Sequence, residues 1–90
     1  MEQRCVADIE GPWREPDFDS GLIRRCRKNW SVPVWNLTNE ALATFLRQKF
    51  ALEIVLPEGR RRLAANFTDD TEMHPEELRD AIEIAERSLA

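Results

Sequence analysis

The chain has no tyrosine, three glycines, one histidine and two cysteines among its 90 residues. Few glycines and no tyrosine argue against a turn-rich sandwich or barrel, which needs many tight turns and strand-favouring aromatics. The single histidine, His74, sits just before Pro75 in an acidic stretch. A Ser–His or Cys–His catalytic pair would have to pass through that loop position. Cys5 and Cys26 are too few for a disulfide framework and read as reduced thiols, and zinc would need two further ligands that the sequence does not offer. No glycine-rich phosphate cradle is present, and Asp69, Asp70 and Glu72 lack the glycine and the spacing of a calcium loop. No apolar run approaches the roughly 20 residues that span a bilayer, and Met1-Glu2-Gln3-Arg4-Cys5 does not open a signal peptide. These shortages predict a cytoplasmic protein that is not an enzyme, holds no cofactor or metal, and has no membrane partner.

What the chain does have is enough for one core. Hydrophobic residues make up 42% and charged residues 33%, on the globular side of the disorder boundary. Nine leucines, five isoleucines, four phenylalanines and three tryptophans can fill a single domain, and a second core would leave each half too small.

The net charge of −4 conceals a split. Residues 1–65 carry eleven basic and nine acidic side chains, whereas residues 66–90 carry eight acids against Arg79 and Arg87. Such an imbalance repels nucleic acid and attracts basic partners.

Periodicity predicts helices. Residues 1–20, interrupted by Gly11-Pro12 and Pro16, read as an irregular N-terminal arm with Trp13 and Phe18 as anchors. Residues 21–90 read as the helical domain. Asp19-Ser20 is placed to cap a short helix through Leu22, Ile23 and Cys26, and Trp30 to Trp35 forms a connector. Leu42, Leu46 and Phe50 mark one face of a helix capped by Asn36 or Thr38. Leu52, Val55, Leu56, Gly59 and Leu63 continue as a helix from about Ala51 to Ala65, despite Pro57, or else as a strand at 52–56 followed by a helix from Pro57. After an acidic loop from Asn66 to His74, Pro75 opens a helix whose inner face is Leu78, Ala81, Ile82, Ala85 and Leu89. The fold class is all-α: a small single-domain bundle of three to four helices with an irregular arm.

Two basic clusters, Arg24-Arg25-Cys26-Arg27-Lys28 and Arg60-Arg61-Arg62, could touch phosphate, yet consecutive arginines spread around a helix and the chain is acidic overall. A nucleic-acid-binding regulator is therefore the weakest of three readings. A self-associating adaptor using Trp13, Trp30 or Trp35 is the second. The first is a protein that offers its acidic segment to a basic protein. In this reading Asp69, Asp70, Glu72, Glu76, Glu77 and Asp80 form the contact region, with Met73 an apolar anchor at its centre, an assignment that rests on charge alone.

Trp30, Pro33, Leu37-Thr38, Glu40, Leu42, Leu46, Gln48, Leu52-Glu53, Leu56-Pro57 and Leu63 occur in an order that resembles the small α-helical immunity proteins of bacterial contact-dependent growth inhibition. Asp69 to Leu78 corresponds to that family's acidic loop and the start of its last helix, so the likeness covers about residues 30–85. The resemblance implies a cytosolic inhibitor, monomeric or weakly self-associating, that binds the toxin domain delivered by a neighbouring cell and blocks its active site.

Overall fold

The computed structural model describes residues 2–17, 20–72 and 76–89. Its helices are α1 (Val6–Glu10), α2 (Gly21–Asn29), α3 (Asn39–Gln48), α4 (Leu52–Ala64) and α5 (Glu77–Leu89), with one 3-10 turn at Val34–Asn36. No strand occurs among the described residues, so the fold is the all-α bundle that periodicity predicts. Pro75 and Met73 lie outside the described residues.

Helix α3 is the axis. It packs against α2, α4 and α5, and residues Ala41 through Leu46 are buried without a break. A helix buried over so much of its circumference belongs inside a bundle. Thr38, not Asn36, caps it, its hydroxyl accepting from Ala41 N at 3.1 Å.

Helix α4 runs through Pro57 without interruption. The lost backbone bond costs about 3 kcal/mol in a helix interior. Here Glu53 and Pro57 are both exposed, so the orphaned carbonyl of Glu53 lies toward solvent, while Ile54, Val55 and Leu56 are buried. Burying three such side chains contributes more than the proline removes. Gly59 lets α4 approach α5 closely: a Cβ at this position would stand 3.2 Å from Ile82 Cδ1 and Cγ1 and 3.4 Å from Leu46 Cδ1.

The N-terminal segment corrects the expectation of an irregular arm. Residues 6–10 are helical, and Val6 is fully buried in the core. Arg4 O accepts from Val34 N at 2.9 Å, Glu2 O from Trp35 N at 3.1 Å, and Trp30 O from Ala7 N at 3.0 Å, which tie the arm to the connector. The Glu10 carboxylate also accepts from Ala51 N at 2.9 Å, just ahead of α4. A five-residue helix is too short to print a period on the sequence.

The indoles are engaged within the fold, so a self-associating adaptor would find none of Trp13, Trp30 and Trp35 fully exposed. Trp30 is buried, with ring centroids 5.0 Å from Trp13, 5.2 Å from Phe50 and 6.1 Å from Phe45. Its Nε1 donates to Gly11 O at 2.7 Å, and Gly11, at φ 89°, takes a backbone conformation that favours glycine. Trp35 is half-buried beneath the Arg61 guanidinium, 4.2 Å from its ring centroid. Phe18, the other proposed anchor, lies outside the described residues.

Candidate functional site

The acidic segment begins where α4 ends. Asn66 takes the left-handed conformation (φ 54°), and Phe67 N donates back to Arg62 O at 2.9 Å, a hydrogen-bonded helix stop that asparagine suits. The chain then crosses the N-terminus of α3, whose first backbone amides need acceptors. Asp69 Oδ2 accepts from Asn39 N at 2.8 Å and Thr71 Oγ1 from Glu40 N at 3.0 Å. Thr71 donates to Asp69 Oδ1 through its hydroxyl at 2.7 Å and its backbone N at 3.1 Å, which holds the carboxylate in place.

Asn39 is the hub, fully buried. Its Nδ2 donates to Glu72 Oε1 at 2.8 Å and to Phe67 O at 3.2 Å, and its Oδ1 accepts from Arg62 at 2.9 Å. Arg62, 2% exposed, also donates to Glu58 at 2.7 Å and to the carbonyls of Val34 and Trp35 at 3.3 and 3.1 Å. Arg61 completes the ion pair, with two bonds to Glu58 at 3.1 and 2.8 Å. Burial works to raise the Glu58 pKa, but hydrogen bonds from Arg61 and Arg62 outweigh it and hold the carboxyl below its ordinary value. Asp69 is lowered in the same way: burial opposes ionisation, and the bonds from Thr71 and Asn39 win.

The predicted contact residues therefore divide. Asp69, Glu72 and Glu77 face into the fold. Glu77 is 2% exposed and pairs with Arg47 at 3.5 Å, while Glu72 is half-buried against Asn39 and accepts a long bond, 3.4 Å, from Leu78 N. Asp70, Glu76 and Asp80 are exposed. Glu76, Asp80 and Glu83 follow one another at helical spacing opposite the buried Leu78, Ala81, Ile82 and Ala85. Met73 lies outside the described residues. The structure brings Asp69 and Glu72 together around Asn39, and it leaves Asp70, Glu76 and Asp80 as an outward edge.

Four arginines of the basic clusters pair within the fold, whereas the buried Nε of Arg25 has no hydrogen-bond partner among the described residues. Arg60 pairs with Glu86 at 2.8 Å, Arg61 and Arg62 with Glu58, and Arg27 with Glu15 at 3.1 Å. Both cysteines are free, and burial pushes the Cys26 thiol up. Among the described residues no group of three or more histidine, cysteine, aspartate or glutamate side chains is placed to hold a metal, and no helix is long and apolar enough to cross a membrane.

Sequence reasoning missed two concave features. A cleft of about 550 Å³ lies among Trp13, Leu22, Ile23, Cys26, Trp30 and Phe50. A smaller one, about 200 Å³, opens between Phe67, Thr68, Glu72, Glu76, Leu78 and Arg79. Phe67 is 44% exposed, a large apolar ring left open beside carboxylates. Compared with protein-family models, curated proteins and solved structures, the chain matches none.

Proposed function

We propose that this protein is a cytosolic immunity protein that neutralises a cognate toxin domain of a contact-dependent growth-inhibition system by binding it, without catalysis of its own. The observation that carries the reading is the outward acidic edge. Asp70 and Asp80 are exposed and have no ion-pair partner among the described residues. Among the described residues Glu76 and Glu83 meet the exposed Arg79 and Arg87, at 3.8 and 3.7 Å. The loop that carries Asp70 is bonded to the buried start of α3 through Asp69 and Thr71. A negative edge suits a basic nuclease-like cleft, where charge complementarity speeds encounter and selects the partner. The order of Trp30, Pro33, Leu37-Thr38 and Leu56-Pro57 supports the same reading through its resemblance to the immunity family.

The test is coexpression with a toxin domain, the candidate being the C-terminal domain of a large secreted protein if one is encoded in the neighbouring reading frame. Growth of a host poisoned by that domain should recover, and the two purified proteins should form a one-to-one complex. Replacing Asp70 and Asp80 with Asn should slow association about threefold to tenfold at low salt and leave the fold unchanged. No protection and no complex would refute the proposal.

A further inference from the structure

We infer that the 200 Å³ cleft beside Phe67 is a receptor for one arginine side chain of the partner, an assignment that rests on the binding role proposed above. Small-molecule sites usually enclose about 300–1,000 Å³, so this cleft is too small for a cofactor-sized ligand and has the scale of a single long side chain. Two carboxylates line it, Glu72 and Glu76, alongside two guanidiniums that already have acidic partners, the buried Arg62 with Glu58 and the exposed Arg79 with Glu76. Among the described residues Glu72 receives bonds from neutral donors, the Asn39 amide and Leu78 N. Among the same residues Glu76 is held by the long, exposed pair to Arg79, which an incoming guanidinium can displace.

The ring of Phe67 supplies the apolar wall. Arg62 already lies over this ring at 5.3 Å but is buried and bonded to Glu58, a carboxylate it shares with Arg61, and the exposed part of the ring is left for a second cation. A planar guanidinium stacks on such a ring while donating in its own plane to carboxylates, which an ammonium cannot do. Charge and shape thus name the same occupant.

The experiment titrates the full-length, nitrogen-15-labelled protein with N-acetyl-arginine methylamide, followed by amide chemical shifts. The controls are the citrulline analogue, an uncharged near-isostere, and the lysine analogue. The expected result is saturable shifts in the millimolar range, confined to Phe67, Leu78 and the Asn39 side-chain amide. The lysine analogue should bind more weakly and the citrulline analogue not at all. Phe67→Leu and Glu76→Gln, both at exposed side chains, should each weaken arginine binding about threefold to tenfold. Absent shifts, an equal response to either analogue, or indifference to both substitutions would overturn the assignment. Loss of this binding with growth protection intact strikes the arginine receptor alone, whereas arginine binding without protection strikes the toxin-neutralising role.

Discussion

Replacing Asn39 with Ala tests whether one buried amide joins the acidic loop to the bundle. The substitution removes the bond to Glu72 at 2.8 Å, the bond from Arg62 at 2.9 Å and the weaker one to Phe67 O at 3.2 Å. Two of these involve a charged partner, and such bonds contribute about 1.5–3 kcal/mol each. Arg62 keeps Glu58 and two backbone carbonyls, which tempers its loss, while among the described residues Glu72 retains the long bond from Leu78 N. The expected destabilisation is about 3–5 kcal/mol, against a total of about 5–13 kcal/mol for a domain of this length. Melting should fall by roughly 15–25 °C.

The assay is urea unfolding followed by the fluorescence of the buried Trp30. A second substitution separates geometry from volume. Asn39→Asp preserves size and still accepts from Arg62, but it turns acceptors toward Glu72 and Phe67 O. It should be at least as damaging as Asn39→Ala near neutral pH, and its deficit should shrink as acid protonates the introduced carboxyl into a donor. A loss below about 1 kcal/mol for Asn39→Ala, or a harmless Asn39→Asp, would refute the claim that this amide bridges loop and core.

Two further outcomes follow from the geometry. Glu58 and Asp69 have folded pKa values below their ordinary ones. Their stabilisation is complete above the unfolded carboxyl range, about pH 4–4.5, and is lost as pH falls further through the folded values. The urea midpoint should therefore drop steadily below about pH 4.5, and a midpoint unchanged down to about pH 3 would contradict this. Gly59→Ala gains about 1 kcal/mol of helix propensity but drives a methyl to 3.2 Å from Ile82, where overpacking costs about 1–3 kcal/mol. It should destabilise by about 1 kcal/mol, and less in an Ile82→Val background; a stabilised Gly59→Ala would show that α4 and α5 are not in close contact here.

The long helices were legible because each prints a period on the sequence. Leu42 and Leu46, the stripe from Leu52 to Leu63, and the stripe from Leu78 to Ala85 mark α3, α4 and α5, whereas Phe50 falls beyond the end of α3 and Leu89, expected on the inner face, is exposed. Ser20 capping of α2 was legible too, and its hydroxyl accepts from Ile23 N at 3.2 Å. Helix α1 was not, because only Val6 and Ile9 of its five residues are large and apolar. What holds it is distant backbone: the carbonyl of Trp30 and the amides of Val34 and Ala51. Helix α4 was ambiguous at 52–56 because a short apolar run suits a strand or a helix, and the continuing stripe to Leu63 decides it.

The site was legible in composition and not in orientation. Asp69 and Asp70 are neighbours of identical chemistry, yet one caps α3 and the other points to solvent in a left-handed backbone conformation, φ 64°. Which of them turns inward depends on Asn39, thirty positions earlier, and no local pattern encodes that. The excess of acid after residue 65 consequently has two physical origins. Asp69, Glu72 and Glu77 answer needs within the fold: the bare amides of α3, the Asn39 amide and Arg47. Asp70 and Asp80 satisfy nothing within the described fold, and an exposed helix gains a few tenths of a kcal/mol wherever signs alternate. Those outward acids, together with Glu76 beside the Phe67 cleft, are the charges that folding does not require. Substitutions there should alter binding and leave stability nearly untouched, whereas the same substitutions at Asp69 or Glu72 should do the reverse.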